Sequence, residues 1–340
     1  MKFIHFGCWN NGLCSIDGTN GLSLTMRKLN SYIEFNPIDF IIIAGDNYYP
    51  QKSSKGKKFI SENFTSGFDC LPKSVKKYLI FGNHDIEDVI IDDLDKEINC
   101  KLLDEQFKII DGNNTVQIFN DVIFKKRDNT LIIMLDTNLY DREIINTPIK
   151  KSCYSKLFNK FVNKSELTIG DLIGYQNCFI LDILKSNLDA RNIILIGHHP
   201  IYSIKNKKDI KDEIKLVRFI DFLKKVADLL ISKNVYYLCA DTHMYQEGII
   251  NIAPDLIIKQ YIVGTGGAEQ DSIYLGDNTI KEGGSIVYTK TIEKKEFGFL
   301  NVEINELGVN YNFISAIVPL VGGNNINKKK YKIVNKKLLI

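Results

Sequence analysis

The sequence predicts an α/β fold, and three observations support it. Short, largely apolar runs of the kind that form buried strands recur along the chain: Phe40–Ala44, Tyr78–Phe81, Asn192–Ile196 and Val235–Cys239. Stretches with apolar residues at helical spacing are interleaved with them. Each run also ends in a polar cluster, as strands of open α/β sheets do where their loops gather at a ligand.

In chain order, Phe3–Phe6 reads as the opening strand, and Leu22–Phe35 as a helix with Leu22, Met26, Leu29 and Ile33 on one face and Pro37 beyond its end. With Phe40–Ala44 these make a βαβ unit, whose second strand runs into Gly45-Asp46-Asn47-Tyr48-Tyr49. The run Tyr78–Phe81 leads to Gly82-Asn83-His84-Asp85. Thr115–Phe119, Val122–Lys126 and Leu131–Leu135 alternate as antiparallel strands do. Tyr175–Leu188 reads as a helix that buries Phe179, Ile180, Ile183 and Leu184, and it precedes the strand Asn192–Ile196 and Gly197-His198-His199-Pro200. A helix over Ile214–Ser232, with Leu216, Phe219, Ile220, Leu223 and Val226 inward, precedes Val235–Cys239 and the loop Ala240-Asp241-Thr242-His243. Gly248–Ile252, Leu256–Val263, Gly298–Ile304 and Val309–Ile314 form a second antiparallel set.

Any one polar cluster has an ordinary explanation, since Gly-Asp is a common turn and Asn-His-Asp can cap a helix. Four of them, all at strand ends and all of metal-ligand residue types, point to convergence on one sheet edge. His5, within the first strand, reads instead as a packed histidine.

Composition sets the limits. A chain of 340 residues with 44% apolar content can bury a large core, and 44 Lys and Arg against 41 Asp and Glu give +3, no general case for nucleic-acid binding. The basic run Lys328-Lys329-Lys330-Tyr331-Lys332 reads as a solvated tail, with an acidic partner or nucleic acid as the alternative. The seven cysteines, at 8, 14, 70, 100, 153, 178 and 239, are odd in number and lack C-x-x-C spacing, so a disulfide framework is not expected and a reducing compartment is. The first strand begins at once, which leaves no room for a secretory signal peptide, and no apolar run reaches the roughly 18 residues of a membrane span. Abundant Ile, Asn and Lys suit an A+T-rich coding sequence, as in some protists and large DNA viruses, so the expected location is cytoplasmic or virion-associated.

The order Gly45-Asp46, Gly82-Asn83-His84-Asp85, Gly197-His198-His199-Pro200 and a final loop with His243 resembles the calcineurin-like metallophosphoesterases. Within them it is most similar to the purple acid phosphatases, whose iron-binding tyrosine is matched by Tyr49. The resemblance runs from Phe3 to about Ser315 and takes in Leu135-Asp136-Thr137. It implies a four-layer αββα sandwich of two mixed β-sheets flanked by helices, in one domain over 1–318 with a basic tail over 319–340. Ile86–Leu103 and Asp141–Gly170 read as insertions into that core, either covering the site or lying as solvated excursions.

By resemblance, the cofactor is one or two divalent metal ions: Zn, Mn, Mg or Fe. One ion would see Asp46, Tyr49 and His243, with Cys8 as an open fourth, the other Asp46, Asn83, His198 and Asp241, with Asp46 bridging. His84 would contact phosphate or protonate the leaving group, and Asp85 would orient His84 or hold the turn. His199 would line the pocket or fix its loop through a hydrogen bond, Asp136 would stand behind a metal-binding histidine or form the strand-end turn, and Trp9 and Tyr48 read as wall packing or substrate contacts. Two positions depart from the family. Cys8 stands where the first aspartate belongs, and Asp241 where the first histidine of Gly-His-x-His belongs. Lys207 occupies the place of another purple acid phosphatase histidine. A free thiol beside ferric iron is prone to oxidation, so a colourless protein is expected. The function implied is metal-dependent hydrolysis of a phosphate ester at a remodelled, possibly mononuclear centre. The alternative is a catalytically impaired relative kept as a structural or binding component.

Overall fold

Side chains along the parallel strands alternate between two apolar environments, so both faces of each strand must be covered. The computed structural model describes all residues except 54–55, 87–88, 92–96, 99–100, 112–115, 119–122, 128, 142–167 and 317–340. Ile132, Met134, Ile194, Ile196, Tyr236 and Leu238 join a core shared with the other sheet, whereas Leu131, Ile133, Ile193, Leu195, Val235 and Tyr237 join a core shared with helices. This is the αββα sandwich.

The six-stranded sheet runs in the order Gly308–Ser315, Gly298–Asn305, Lys2–Phe6, Phe40–Ala44, Lys76–Ile80 and Val116–Ile118. Its last four strands are mutually parallel. The eight-stranded sheet runs Thr279–Glu282, Ser285–Lys294, Tyr245–Ala253, Leu256–Val263, Asn234–Cys239, Asn192–Ile196, Thr130–Met134 and Ile123–Arg127, with a parallel block from Leu256–Val263 to Thr130–Met134. The helix Gly21–Phe35 buries Leu22, Met26 and Leu29 in the core of the first sheet; Ile169–Ser186 and Val217–Lys225 bury Ile180, Ile183, Phe219 and Leu223 against the second. Asn20 caps the first helix by accepting from the Ser23 amide, and Thr168 with Asp171 forms a capping box on Ile169–Ser186.

Several expectations are corrected. Val116–Ile118 pairs in parallel with Lys76–Ile80 and not with its sequence neighbours. The strands Gly298–Asn305 and Gly308–Ser315 lie with Lys2–Phe6, not with the other late strands. Ile214 and Lys215 end a hairpin, Tyr202–Lys207 with Ile210–Lys215, and the helix begins only at Val217. The insertion after Asp85 contributes Val89–Ile91 and Glu97–Ile98 to a small sheet with Gln51–Ser53 and Gly56–Phe59. Most of Asp141–Gly170 and the tail 319–340 fall outside the described residues. Cys14 and Cys70 form a disulfide, contrary to the expectation of unpaired cysteines, and the ground for a reducing compartment goes with it. No helix among the described residues is long and apolar enough to cross a membrane.

Candidate metal centre

The parallel strands Lys2–Phe6, Phe40–Ala44 and Lys76–Ile80 of one sheet, and Asn192–Ile196 and Asn234–Cys239 of the other, deliver their loops to a common edge. Three of those loops turn at once through the left-handed region, at Cys8 (φ 52°), Asp46 (φ 52°) and Asp241 (φ 55°). Such backbone is disfavoured for L residues other than Asn, Asp and Gly, and it clusters at functional sites. Cys8 keeps the conformation that suits an aspartate. Gly45 has φ 83°, and a Cβ there would stand 2.5 Å from the Gly82 nitrogen and 2.7 Å from His198 Nδ1. The loops can close on one another only because that position is bare.

The two oxygens of Asp46, which is buried, divide the cluster. Oδ1 lies 3.3 Å from His198 Nε2 and accepts from the His84 amide at 3.0 Å. Nε2 of His198 also lies 3.1 Å from Asn83 Oδ1 and 3.7 Å from Asp241 Oδ1. Its other nitrogen, Nδ1, faces the Ala44 carbonyl at 2.7 Å and must carry the proton, which leaves Nε2 with a lone pair aimed at three oxygens. Burial alone would lower the His198 pKa, yet Asp46, Asp241 and the Ala44 carbonyl outweigh it and raise it. Those oxygens demand a cation, whether a second proton on His198 or a metal.

On the other side, Asp46 Oδ2 accepts from Tyr49 Oη at 2.7 Å and from the Cys8 thiol at 3.8 Å. Tyr49 Oη is also 3.0 Å from His243 Nε2, whose partner nitrogen Nδ1 donates to the Glu269 carbonyl at 2.7 Å. Burial, and then the charge of Asp46, raises the pKa of both Cys8 and Tyr49, so each is a neutral donor at neutral pH. For Asp46 itself burial works upward, but His198, His84 and the bonds from Tyr49 and the His84 amide hold it below the usual carboxylate range.

The donor set fits a divalent metal. Cys8, Asp46 and His198 place ligand atoms within 4.8 Å of one another, as do His198, His199 and Asp241. Both His198 and His243 show the arrangement of a ligating imidazole, one nitrogen fixed by a backbone carbonyl and the other free for the ion. His199 is held at Nδ1 by Thr137 Oγ1 (3.1 Å) and approaches Asp141 at 3.7 Å; burial and the neighbouring His198 lower its pKa.

Asp85 and Asp136 spend their oxygens on their own loops. Asp85 accepts from the amides of Gly82 (2.7 Å) and Asn47 (2.8 Å), from Asn47 Nδ2 (3.2 Å) and from Gln106 Nε2 (3.1 Å), so of its two expected roles these bonds serve the holding of the turn. Burial, with Asp46 nearby, pushes its pKa up to about 7. Asp136 accepts from the amide and side chain of Asn138, both at 2.9 Å, and forms its own turn. Trp9 and Tyr48 are wholly buried, Trp9 against Phe6 and Phe68, Tyr48 against Phe59 and Phe64, which makes them packing residues. His5 donates from Nε2 to the Cys239 carbonyl at 3.1 Å and is no ligand.

Sequence reasoning missed what fixes the ligands. Thr137 Oγ1 accepts from the amides of His198 (3.0 Å) and His199 (2.9 Å), and Asp271 accepts from the His243 amide (2.9 Å). The Leu135-Asp136-Thr137 motif marked the place but not the residue. The carbonyls of Ala44 and Glu269 have no side-chain signature at all. A cleft of about 510 Å³ opens beside the cluster, lined by Tyr49, His84 and His243 among others. The His84 ring lies 4.7 Å from that of Tyr49.

The profile of the calcineurin-like phosphoesterases matches residues 1–245, and the chain belongs to that family. Among solved structures it is similar to the purple acid phosphatase PPD1 from yellow lupin (Lupinus luteus) seeds, with a TM-score of 0.56 and 14% identity over 93% of this chain and 51% of the lupin chain. It is also similar to GAP50, the anchor in the inner membrane complex of Plasmodium, with a TM-score of 0.54 and 14% identity over 93% of this chain and 84% of that one. The chain thus spans about half the length of the lupin enzyme. At this identity the likenesses speak for the fold. Among curated proteins none matches the chain.

Proposed function

We propose that the protein hydrolyses a phosphate ester with one divalent cation, held by Asp46 Oδ1, Asn83, His198 and Asp241. The observation behind this reading is His198: its Nδ1 proton is committed to the Ala44 carbonyl, while Nε2 faces Asp46, Asn83 and Asp241 at 3.1 to 3.7 Å. Two carboxylates, an amide and an imidazole suit Mg, Mn or Zn. The chemistry such an ion supplies when bound is Lewis-acid polarisation of the ester and of water.

The chain's own residues do the rest. His84 lines the cleft and is placed to contact the phosphate or give a proton to the leaving oxygen. Tyr49 and Cys8, as neutral donors to Asp46 Oδ2, fix the orientation of the carboxylate and take the place of a second ion. With the Tyr49 proton held on Asp46 Oδ2, a colourless protein is expected. The domain extends over 1–318.

The test is hydrolysis of 4-nitrophenyl phosphate with Mn, Mg, Zn or Fe added singly across pH. Weak turnover that depends on metal and is lost in Asn83→Ala and His84→Ala supports the proposal; turnover unaffected by chelation removes it.

Cys8 favours a second reading, since the position has lost the carboxylate its backbone suits. GAP50, of the same fold, is an anchor. On this reading the protein is a binding or structural component whose metal stabilises the loops. Metal bound without turnover on any phosphate ester, and turnover restored by Cys8→Asp with Asp241→His, would decide for it.

A further inference from the structure

The Cys14–Cys70 bridge lies near the surface, whereas the thiols of Cys8 and Cys239 are wholly buried. Both bridge residues line a cavity of about 480 Å³ that the helices Gly21–Phe35 and Ser61–Cys70 share. Beside Cys14, Leu13 is 47% exposed and Ile16 81%. A disulfide that a thiol can reach undergoes exchange; one sealed in a core is resistant.

What the bridge fastens is the helix Ser61–Cys70, of which Cys70 is the last residue. Ten residues are too few for a helix to be stable alone, and its N-cap, Ile60, makes no side-chain bond, so it depends on what it packs against. Two of the cluster's loops supply that support. Phe68 meets the Trp9 ring at 5.2 Å, and Phe64 meets the Tyr48 ring at 5.4 Å. Asn10 Nδ2 donates to the Phe64 carbonyl at 3.0 Å, and the Cys14 amide donates to Ser66 Oγ at 3.1 Å. Gly67 approaches the Asn10 side chain so closely that a Cβ would have no room. Trp9 and Tyr48 are the chain neighbours of Cys8 and Tyr49, the two side-chain donors to Asp46 Oδ2. The helix therefore backs this half of the cluster, and the bridge ties its C-terminal end to the loop that carries Cys8.

We propose that the Cys14–Cys70 bridge is a redox latch on the cluster, opened by dithiols, whose reduction loosens the helix Ser61–Cys70 from the Cys8 loop and uncovers Cys8. A thiolate of the dithiol attacks one bridge sulfur, the S–S bond breaks, and the other sulfur leaves and takes a proton. The second thiol of the reductant then resolves the mixed disulfide. The bridge gains two electrons and two protons, and the dithiol is oxidised to its own disulfide.

Alkylation of the full-length protein reads this directly. Untreated protein, and protein reduced with dithiothreitol under native conditions and desalted, are labelled with iodoacetamide, and each cysteine peptide is followed by mass. Exposed Cys178 serves as the reference for reagent, and Cys239, buried in the other sheet, as the reference for the fold. Reduction is expected to speed labelling of Cys8 by at least about tenfold while Cys239 changes by less than about twofold, as local rather than global opening requires. Cys14→Ser/Cys70→Ser, never exposed to reductant, is expected to label Cys8 at the fast rate, which separates the bridge from any capture of metal by dithiothreitol. A bridge that native dithiothreitol leaves intact, or Cys8 still protected once the bridge is reduced, would overturn the inference. So would Cys8 and Cys239 speeding up together, since the bridge would then serve the whole fold. None of these readings requires turnover, so they stand or fall apart from the phosphoesterase proposal.

Discussion

The two oxygens of Asp46 face two halves of one cluster, and the halves differ in where their protons are. Toward Oδ1, the atoms of Asn83, His198 and Asp241 are acceptors, and the donor among the described contacts is the backbone amide of His84. Toward Oδ2, Tyr49 and Cys8 bring their own protons, kept on them by burial and by the charge of Asp46. The first half is electrostatically incomplete without a cation; on the second, Asp46 Oδ2 is already satisfied by hydrogen bonds from Tyr49 and Cys8. One substitution, a thiol where the backbone suits a carboxylate, accounts for much of the contrast.

The strongest way to break this picture is to remove the ligand on the incomplete half. His198→Ala is expected to lower metal-dependent turnover by a factor of about a thousand or more, since loss of a ligand removes the ion's share of transition-state stabilisation. Steady-state kinetics on an aryl phosphate reads this directly, and a loss under tenfold would place the reaction elsewhere.

Acid probes what lies behind the cluster. Buried His5, bonded at Nε2 to the Cys239 carbonyl, has its pKa lowered from 6.5 to about 4, chiefly by burial. Because the folded-state value lies below the unfolded one, protonation between pH 6.5 and 4 favours the unfolded chain. The contribution is fully present above pH 6.5 and is lost as the pH falls, up to about 3 kcal/mol in all. Urea unfolding of the metal-free protein from pH 7 to 4 should therefore show a shallower acid slope in His5→Phe. Parallel slopes would assign the acid sensitivity to other groups.

Restoring the carboxylate should make the two halves alike. Cys8→Asp costs little backbone strain at φ 52°. It is expected to raise metal content from one toward two ions per chain and turnover by about tenfold. The smallest effect belongs to Tyr49→Phe. If the phenol is a neutral donor, its loss costs about 1 kcal/mol and leaves turnover within tenfold. Neither the wild type nor the variant should show a visible absorption band; a band in the wild type that vanishes in Tyr49→Phe would mean a tyrosinate on iron.

The clustering was legible in the sequence because the residues that meet are side chains at the ends of apolar runs. Asp46, Asn83, His198, Asp241 and His243 all stand where those runs stop. The proton inventory was not legible. It depends on the carbonyls of Ala44 and Glu269, which any residue could supply, and on burial at Cys8 and Tyr49. For Asp85 and Asp136 the sequence left a supporting role and a turn-forming one open, and only the structure shows their oxygens accepting from amides of their own loops. In the fold, local periodicity found most of the strands and the long helices, but not that Val116–Ile118 and Leu256–Val263 pair in parallel. Pairings distant in sequence, such as Lys2–Phe6 with Gly298–Asn305, and the Cys14–Cys70 bridge across 56 residues, leave no local pattern to read.

Counting metal tests the contrast most directly. Elemental analysis of protein purified without chelator should find about one divalent ion per chain, lost in His198→Ala and retained in His243→Ala, because the ion sits on the half that lacks protons. Two ions per chain, or one ion that disappears with His243→Ala and survives His198→Ala, would contradict the account.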